Sequence, residues 1–195
     1  MANQILTSIH GKRFGLGPRG ELLLDKGVGT LSVPTVAYTN TAAGTALTAS
    51  STETALGSYS IPANSLFPGA LIQVRFQGIA TATNGSDTLT VKLYIGGLTG
   101  TALIAMAAQD VANNDVFTGE YELIVRTVGA SGTIVGVGTY KSIPAAEGTM
   151  TIKDDYLAST AIDTTAAQVV AVSGAWSSTN AGNSCRLDFL RVIIG

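Results

Sequence analysis

From about residue 45 onward, apolar and polar side chains alternate with a period of two, run after run. In Leu71 to Gln77, the residues Ile72, Val74 and Phe76 fall on one side and Gln73, Arg75 and Gln77 on the other. Leu89, Val91, Leu93 and Ile95 alternate with Thr88, Thr90, Lys92 and Tyr94. Tyr121, Leu123 and Val125 alternate with Glu120, Glu122, Ile124 and Arg126, and Cys185, Leu187 and Phe189 with Arg186, Asp188 and Leu190. Successive side chains on a strand point to opposite faces, so this pattern specifies strands with one buried and one wet face. The β-branched and aromatic residues in these runs suit a pleated surface.

Turn signals cut the runs at sandwich spacing. They are Pro68-Gly69, Asn84-Gly85, Gly96-Gly97, Asn113-Asn114-Asp115, Gly129 to Gly132, Glu147-Gly148 and Asn180 to Asn183. The only helical candidate, Ala102 to Ala112, reads equally as a short strand followed by a turn. The expectation is an all-β chain: an antiparallel β-sandwich over 45–195, a jelly roll of about eight strands. No repeat of 20–50 residues aligns, which excludes solenoids and propellers.

The N-terminal stretch differs. The first thirty residues hold four of the eleven basic side chains, Lys12, Arg13, Arg19 and Lys26, against two of the thirteen acids, Glu21 and Asp25. That leaves +2 there and −4 over the rest. Pro18-Arg19-Gly20 between Phe14-Gly15-Leu16 and Leu22-Leu23-Leu24 predicts a small hairpin, since proline presets a turn and glycine supplies positive φ. Residues 25–44 read as a Gly/Ser/Thr/Pro linker or strap, so 1–44 forms an extended arm, hairpin and linker. Ile9, His10, Lys12, Arg13, Phe14, Leu16 and Arg19 are the candidate partner-binding residues, because apolar side chains interleave with the charges, which a purely solvating tail does not need.

Composition narrows the function. Charged residues make up 12% of the chain, where soluble domains average about 25%, so little repulsion keeps copies apart. No apolar stretch approaches the ~20 residues of a spanning helix, and a net charge of −2 disfavours wholesale nucleic-acid binding. One cysteine, Cys185, allows no internal disulfide, and Met1 to Arg13 lacks a signal-peptide core, so synthesis in a host cytoplasm is expected.

No constellation of chemistry emerges, and no enzyme activity, cofactor or metal is expected. Gly15-Leu16-Gly17-Pro18-Arg19-Gly20 matches G-x-G-x-x-G, but Leu22 to Leu24 follows instead of a helix. His10, the only histidine, has no partner of suitable spacing. Cys185 has an inward phase and reads as an inert core residue. Asp154-Asp155 with Asp163 lacks the spacing of a calcium loop and reads as a solvated loop. Asn84-Gly85-Ser86 reads as a hairpin turn before it reads as a glycosylation site. Trp176 reads as core or interface, and exposure of Trp176, Tyr94 or Tyr140 would favour a glycan platform.

The block Ser8-Ile9-His10-Gly11-Lys12-Arg13-Phe14-Gly15-Leu16, then Gly20-Glu21-Leu22, resembles the opening of small tailed-phage virion proteins. Leu93 to Gly97, Asp110 to Val116 and Arg126 to Thr133 resemble β-sandwich head-decoration and fibre-type proteins of the same viruses. The resemblance implies a capsid decoration (cement) protein. Such a protein is a jelly-roll homotrimer on the outer capsid surface, with the major capsid protein as partner and an N-terminal arm that grips the shell or an adjacent trimer. The alternative is a head-fibre or tail-fibre/spike domain that binds host surface glycans.

Overall fold

The computed structural model describes residues 34–40, 42–106, 108–145 and 149–195, together with the backbone of the strands at 5–9, 12–16 and 22–24. The chain divides into two compact units, Met1–Thr35 with Gly195, and Val36–Ile194.

In the first unit, β1 (Ile5–Ile9), β2 (Lys12–Leu16) and β3 (Leu22–Leu24) form a three-stranded antiparallel sheet in the order β1-β2-β3. Phe14 pairs with Leu24, Gly15 with Leu23 and Leu16 with Leu22. The predicted turn at Pro18-Arg19-Gly20 itself lies outside the described residues. With strand β3 following where a helix would be needed, the glycine pattern lacks the context of a dinucleotide loop.

Among the described residues twelve further strands follow, all but the first residue of β4 within the second unit: β4 (Thr35–Thr39), β5 (Leu47–Thr48), β6 (Thr54–Ile61), β7 (Leu71–Thr81), β8 (Thr88–Ile95), β9 (Thr101–Ala105), β10 (Gln109–Asp110), β11 (Asp115–Thr127), β12 (Gly132–Ile143), β13 (Thr151–Ile162), β14 (Gln168–Trp176) and β15 (Ser184–Ile194). One sheet runs β13-β12-β11-β7-β15-β4, with β5 also on β15. The other runs β10-β8-β14-β6, with β9 also on β8. β9 and β10 share one edge of β8 and act as a single strand broken near Met106, whose N–H still bonds Val91 O at 3.1 Å. The sequence Ala102 to Ala112 is therefore strand and turn, and no helix occurs among the described residues.

Counting β9 and β10 as one, the strands β4, β6, β7, β8, β9/β10, β11, β14 and β15 fall into sheets with the order first-eighth-third-sixth and second-seventh-fourth-fifth. That is the jelly-roll order, two Greek keys closed face to face. Two features depart from the sequence expectation. β4 lies inside the stretch read as linker, yet it is the first sandwich strand, hydrogen-bonded beside β15. The hairpin β12–β13 is an addition that extends the larger sheet beyond β11.

The core is the space between the inner faces. Ile72, Val74 and Phe76 of β7, Val91 and Leu93 of β8, and Val170 and Val172 of β14 belong to one buried cluster. Along β15 the alternation slips. The register runs Leu187↔Gly78 and then Phe189↔Gln77, so Asp188 is an extra residue, a β-bulge. Cys185 and Leu187 face inward before it, and Leu190 and Val192 after it. Phe189, expected in the core with Cys185 and Leu187, is thereby turned toward the outer face beside Gln77. Asn40 secures the bulge: its backbone N–H bonds Leu190 O at 3.2 Å, and its Oδ1 accepts from Leu190 N–H.

Glycines on the inner face of the large sheet are filled by rings from the next strand. Phe117 pairs with Gly78, Phe76 with Gly119, and Tyr121 with Gly138. A Cβ on Gly138 would lie 2.1 Å from Tyr121 Cδ2, so the ring occupies the missing side chain's place. This device offsets the packing loss of glycine in a strand. The Tyr121 hydroxyl is enclosed without a hydrogen-bond partner. Burial, and after it the charge of Asp155, pushes the phenol up to about 12. A Tyr121→Phe substitution is therefore expected to raise Tm by roughly 2–4 °C, about 1 kcal/mol, because an unsatisfied buried group is removed. A lowered Tm in calorimetry would show that the hydroxyl is bonded.

Candidate interaction surface

The register of β7, β11, β12 and β13 sets the outer face of the large sheet as rows of side chains. One row is Gln73, Glu122, Val137 and Tyr156, and the next is Arg75, Glu120, Thr139 and Asp154. A third is Gln77, Thr118, Lys141 and Ile152. Arg75 Nε donates to Glu120 Oε1 at 2.7 Å, Gln73 Nε2 to Glu122 Oε1 at 2.8 Å and Thr139 Oγ1 to Asp154 Oδ1 at 2.7 Å. The Arg75–Glu120 pair is about half exposed and contributes little to stability. On the Glu120 side of this pair, over Val137 and Thr139, lies an open depression of about 330 Å³, also lined by Thr118, Glu120, Glu122 and Lys141.

The apolar residues of this face are unusually open. Tyr156 is 77% exposed, Val137 58% and Ile152 51%, and Val137 and Tyr156 are direct cross-strand partners. Ile124 and Ile143 are exposed on the same face, and Met150 just before β13. The polar row of Thr139 and Asp154 separates Val137 and Tyr156 from Ile152, and exposed apolar side chains gathered on one face in this way mark a candidate interaction surface. β13 is also the sheet's edge strand, with a neighbour on one side only. The sequence expectation of a solvated loop at Asp154-Asp155 conceals this surface. Both are in β13, and Asp155 faces the other way, where it pairs with Lys153 at 3.2 Å. The signal was present in the period-two spacing of Ile152, Asp154 and Tyr156.

On the outer face of the small sheet, Glu53 Oε1 accepts from Ser173 Oγ at 2.6 Å and from Tyr94 OH at 2.9 Å, while Oε2 accepts from Lys92 Nζ at 2.9 Å. Burial, the largest single influence, pushes the Glu53 carboxyl up. The hydrogen bonds from Ser173, Lys92 and Tyr94 together outweigh it and hold the carboxyl below its usual 4.5. A depressed folded value stabilises the protein above the unfolded pKa, and that gain is lost as pH falls through the folded value. Stability should thus decline as pH drops below about 4.5, and Glu53→Gln should flatten that part of the curve, as read from urea midpoints against pH. An unchanged slope would remove Glu53 from the account.

Trp176 and Tyr140 are in the core and Tyr94 is buried against Glu53, so none of the three offers a glycan platform. Burial of Cys185 pushes its thiol up to about 12, consistent with an inert core residue. Asp163 Oδ1 is occupied by Thr165, and Glu120 and Glu122 stand side by side on one face, both bridged by Gln73. The Asn84-Gly85 turn links β7 to β8 across the two sheets and is not a hairpin within one. Among the described residues no three His, Cys, Asp or Glu side chains converge to hold a metal ion. Of the candidate arm residues, Ile9 ends β1, and Lys12, Arg13, Phe14 and Leu16 lie in β2, with Ile9 paired to Lys12. His10 and Arg19 lie outside the described residues.

No protein-family model matches the chain, and no curated protein matches it in sequence. Among solved structures, it is similar to the VP2 subviral particle of infectious bursal disease virus, at 16% identity over 97% of this chain with a TM-score of 0.37. It is likewise similar to the D431N mutant VP2 protein in T=1 particles of that virus, at 20% identity over 97% with a TM-score of 0.38. The chain spans only 38% and 36% of those two proteins. The jelly-roll assignment rests on the strand order itself.

Proposed function

We propose that this chain is a non-enzymatic virion structural protein of a bacteriophage. It acts as a cement or decoration protein that binds the outer surface of an assembled capsid and stabilises it. Its partners are the major capsid protein and other copies of itself, as a homotrimer, without nucleic acid or membrane. The observation that carries this reading is the exposed pair Val137 and Tyr156, with Ile152 on the far side of one polar row, on the added hairpin of the sandwich. Cementing requires only that the protein bind the assembled lattice in preference to free subunits, and mass action converts that preference into shell stability. The basic, leucine-bearing N-terminal unit supplies a second contact, and three linked arms raise avidity well beyond one.

Quantitative mass spectrometry of purified virions tests the proposal. A copy number comparable with that of the major capsid protein supports cement, and absence from virions overturns it. The second reading, a head-fibre or tail-fibre/spike domain, is favoured by the exposed Tyr156 ring beside the carboxylates and hydroxyls of the depression. A handful of copies per virion, with glycan binding lost in Tyr156→Ser, would favour it.

A further inference from the structure

The β7–β8 connection carries the chain's one Asn-Gly pair, Asn84-Gly85. Asn84, Gly85 and Ser86 are all exposed, and a turn closes behind them, where Asp87 N–H donates to Asn84 O at 3.0 Å. Ser86 Oγ donates to Asn84 Oδ1 at 3.2 Å. A Cβ on Gly85 would meet nothing within 4 Å, so the space beside it is open. A glycine nitrogen has no side chain to crowd it, and its backbone reaches conformations closed to other residues. Every other asparagine is followed by a residue with a side chain. Asn183 is buried as well, and Asn40 is anchored at both ends of its amide, by Leu190 N–H on Oδ1 and by the Ala42 carbonyl on Nδ2.

We propose that Asn84 is a self-modifying site, where the Gly85 backbone nitrogen closes on the Asn84 side-chain amide ahead of reaction at every other asparagine. Gly85 N bonds to Asn84 Cγ and gives up its proton. The Cγ–Nδ2 bond breaks, and Nδ2 leaves with that proton as ammonia. Water then opens the resulting succinimide. Attack at Cγ gives aspartate, and attack at the main-chain carbonyl carbon gives isoaspartate, in which the chain runs through the former side chain. Negative charge develops on Asn84 Oδ1 during ring closure, where the Ser86 hydroxyl already donates. Isoaspartate adds one methylene to the backbone of the turn that carries Asp87, whose Oδ1 accepts from Ser178 Oγ at 2.8 Å. The tie between the β7–β8 and β14–β15 connections therefore loosens as the protein ages.

The test incubates the full chain at physiological temperature over a range of neutral to alkaline pH. Peptide mapping by mass spectrometry reads amide-to-acid conversion at each asparagine, and an isoaspartyl methyltransferase labels the isoaspartate. Position 84 is expected to convert first, faster at higher pH because the attacking nitrogen must lose its proton. Gly85→Ala should slow it by about tenfold or more, each tenfold being about 1.4 kcal/mol of barrier. Alanine fits there, since Gly85 lies outside the left-handed region and its Cβ has room. Ser86→Ala should slow it by a smaller factor, and an unchanged rate would strike the hydroxyl from the proposal. Conversion of another asparagine before Asn84, or equal rates in the parent and Gly85→Ala, would overturn it. Should Gly85→Ala not fold, the order of conversion in the unaltered chain decides alone. Aged parent protein should also lose roughly 2–4 °C of Tm, while Gly85→Ala aged in parallel keeps its own. Equal losses in both would overturn the loosening.

Discussion

Gly78→Ala is expected to destabilise the sandwich by about 3 kcal/mol or more, lowering Tm by roughly 6–12 °C. A Cβ there would lie 2.2 Å from Phe117 Cζ and 2.3 Å from Arg186 O. The ring can swing away, but the carbonyl belongs to the β7–β15 ladder and cannot. Gly119 gives the contrast. Its Cβ would meet Phe76 ring atoms, the nearest at 2.3 Å, with no backbone atom among the closest three. Phe76→Leu should therefore rescue Gly119→Ala in part, with a favourable coupling of about 1–2 kcal/mol, whereas Phe117→Leu should not rescue Gly78→Ala. Thermal unfolding of the four single and two double variants checks this. Equal rescue at both sites would mean that the β7–β15 backbone yields, against the ladder seen here.

Removal of residues 1–26 is expected to leave a folded sandwich that no longer binds capsids. The separate composition of this segment motivates the prediction, and the compact unit Val36–Ile194 contains the whole jelly-roll core. If each arm of a trimer contributes to avidity, the loss in apparent affinity should be about 10²-fold or more. Co-sedimentation with shells stripped of the protein measures it, and circular dichroism confirms the fold. Binding equal to that of the full chain would move the lattice contact to the outer face of β11–β13. There, substitution of Val137, Ile152 and Tyr156 by serine would become the decisive variant.

Strands with strict alternation, such as β7, β8 and β11, were legible one by one, since the phase of each is set by its own burial. What sequence did not disclose depends on a neighbour. β12 carries Gly136 and Gly138 on its inner side and reads as a weak strand alone, because its packing is supplied by Tyr121 of β11. The slip in β15 was hidden because both Phe189 and Leu190 are apolar. The choice between them is made by Asn40, 150 residues earlier. Tyr156 was lost with β13, whose adjacent aspartates suit a loop as well as an edge strand with charges on both faces. The arm was visible only as composition, which identifies a separate unit without identifying its partner.

The place of β15 has a consequence for biosynthesis. It lies between β7 and β4 in the large sheet, yet it is the last sandwich strand to be made. At about 5–20 residues per second, the chain before β15 exists for of order ten seconds with a strand-sized slot open beside β7. Its edges are then free to accept a strand from another nascent chain. The large sheet can close only after translation has passed β15, which joins its first strand to its last. Topologies dominated by such distant pairings fold slowly, in milliseconds to seconds. A polysome crowded with half-made copies is therefore the setting in which this chain is most exposed to misassembly, and chaperone contact should concentrate on β7 before release.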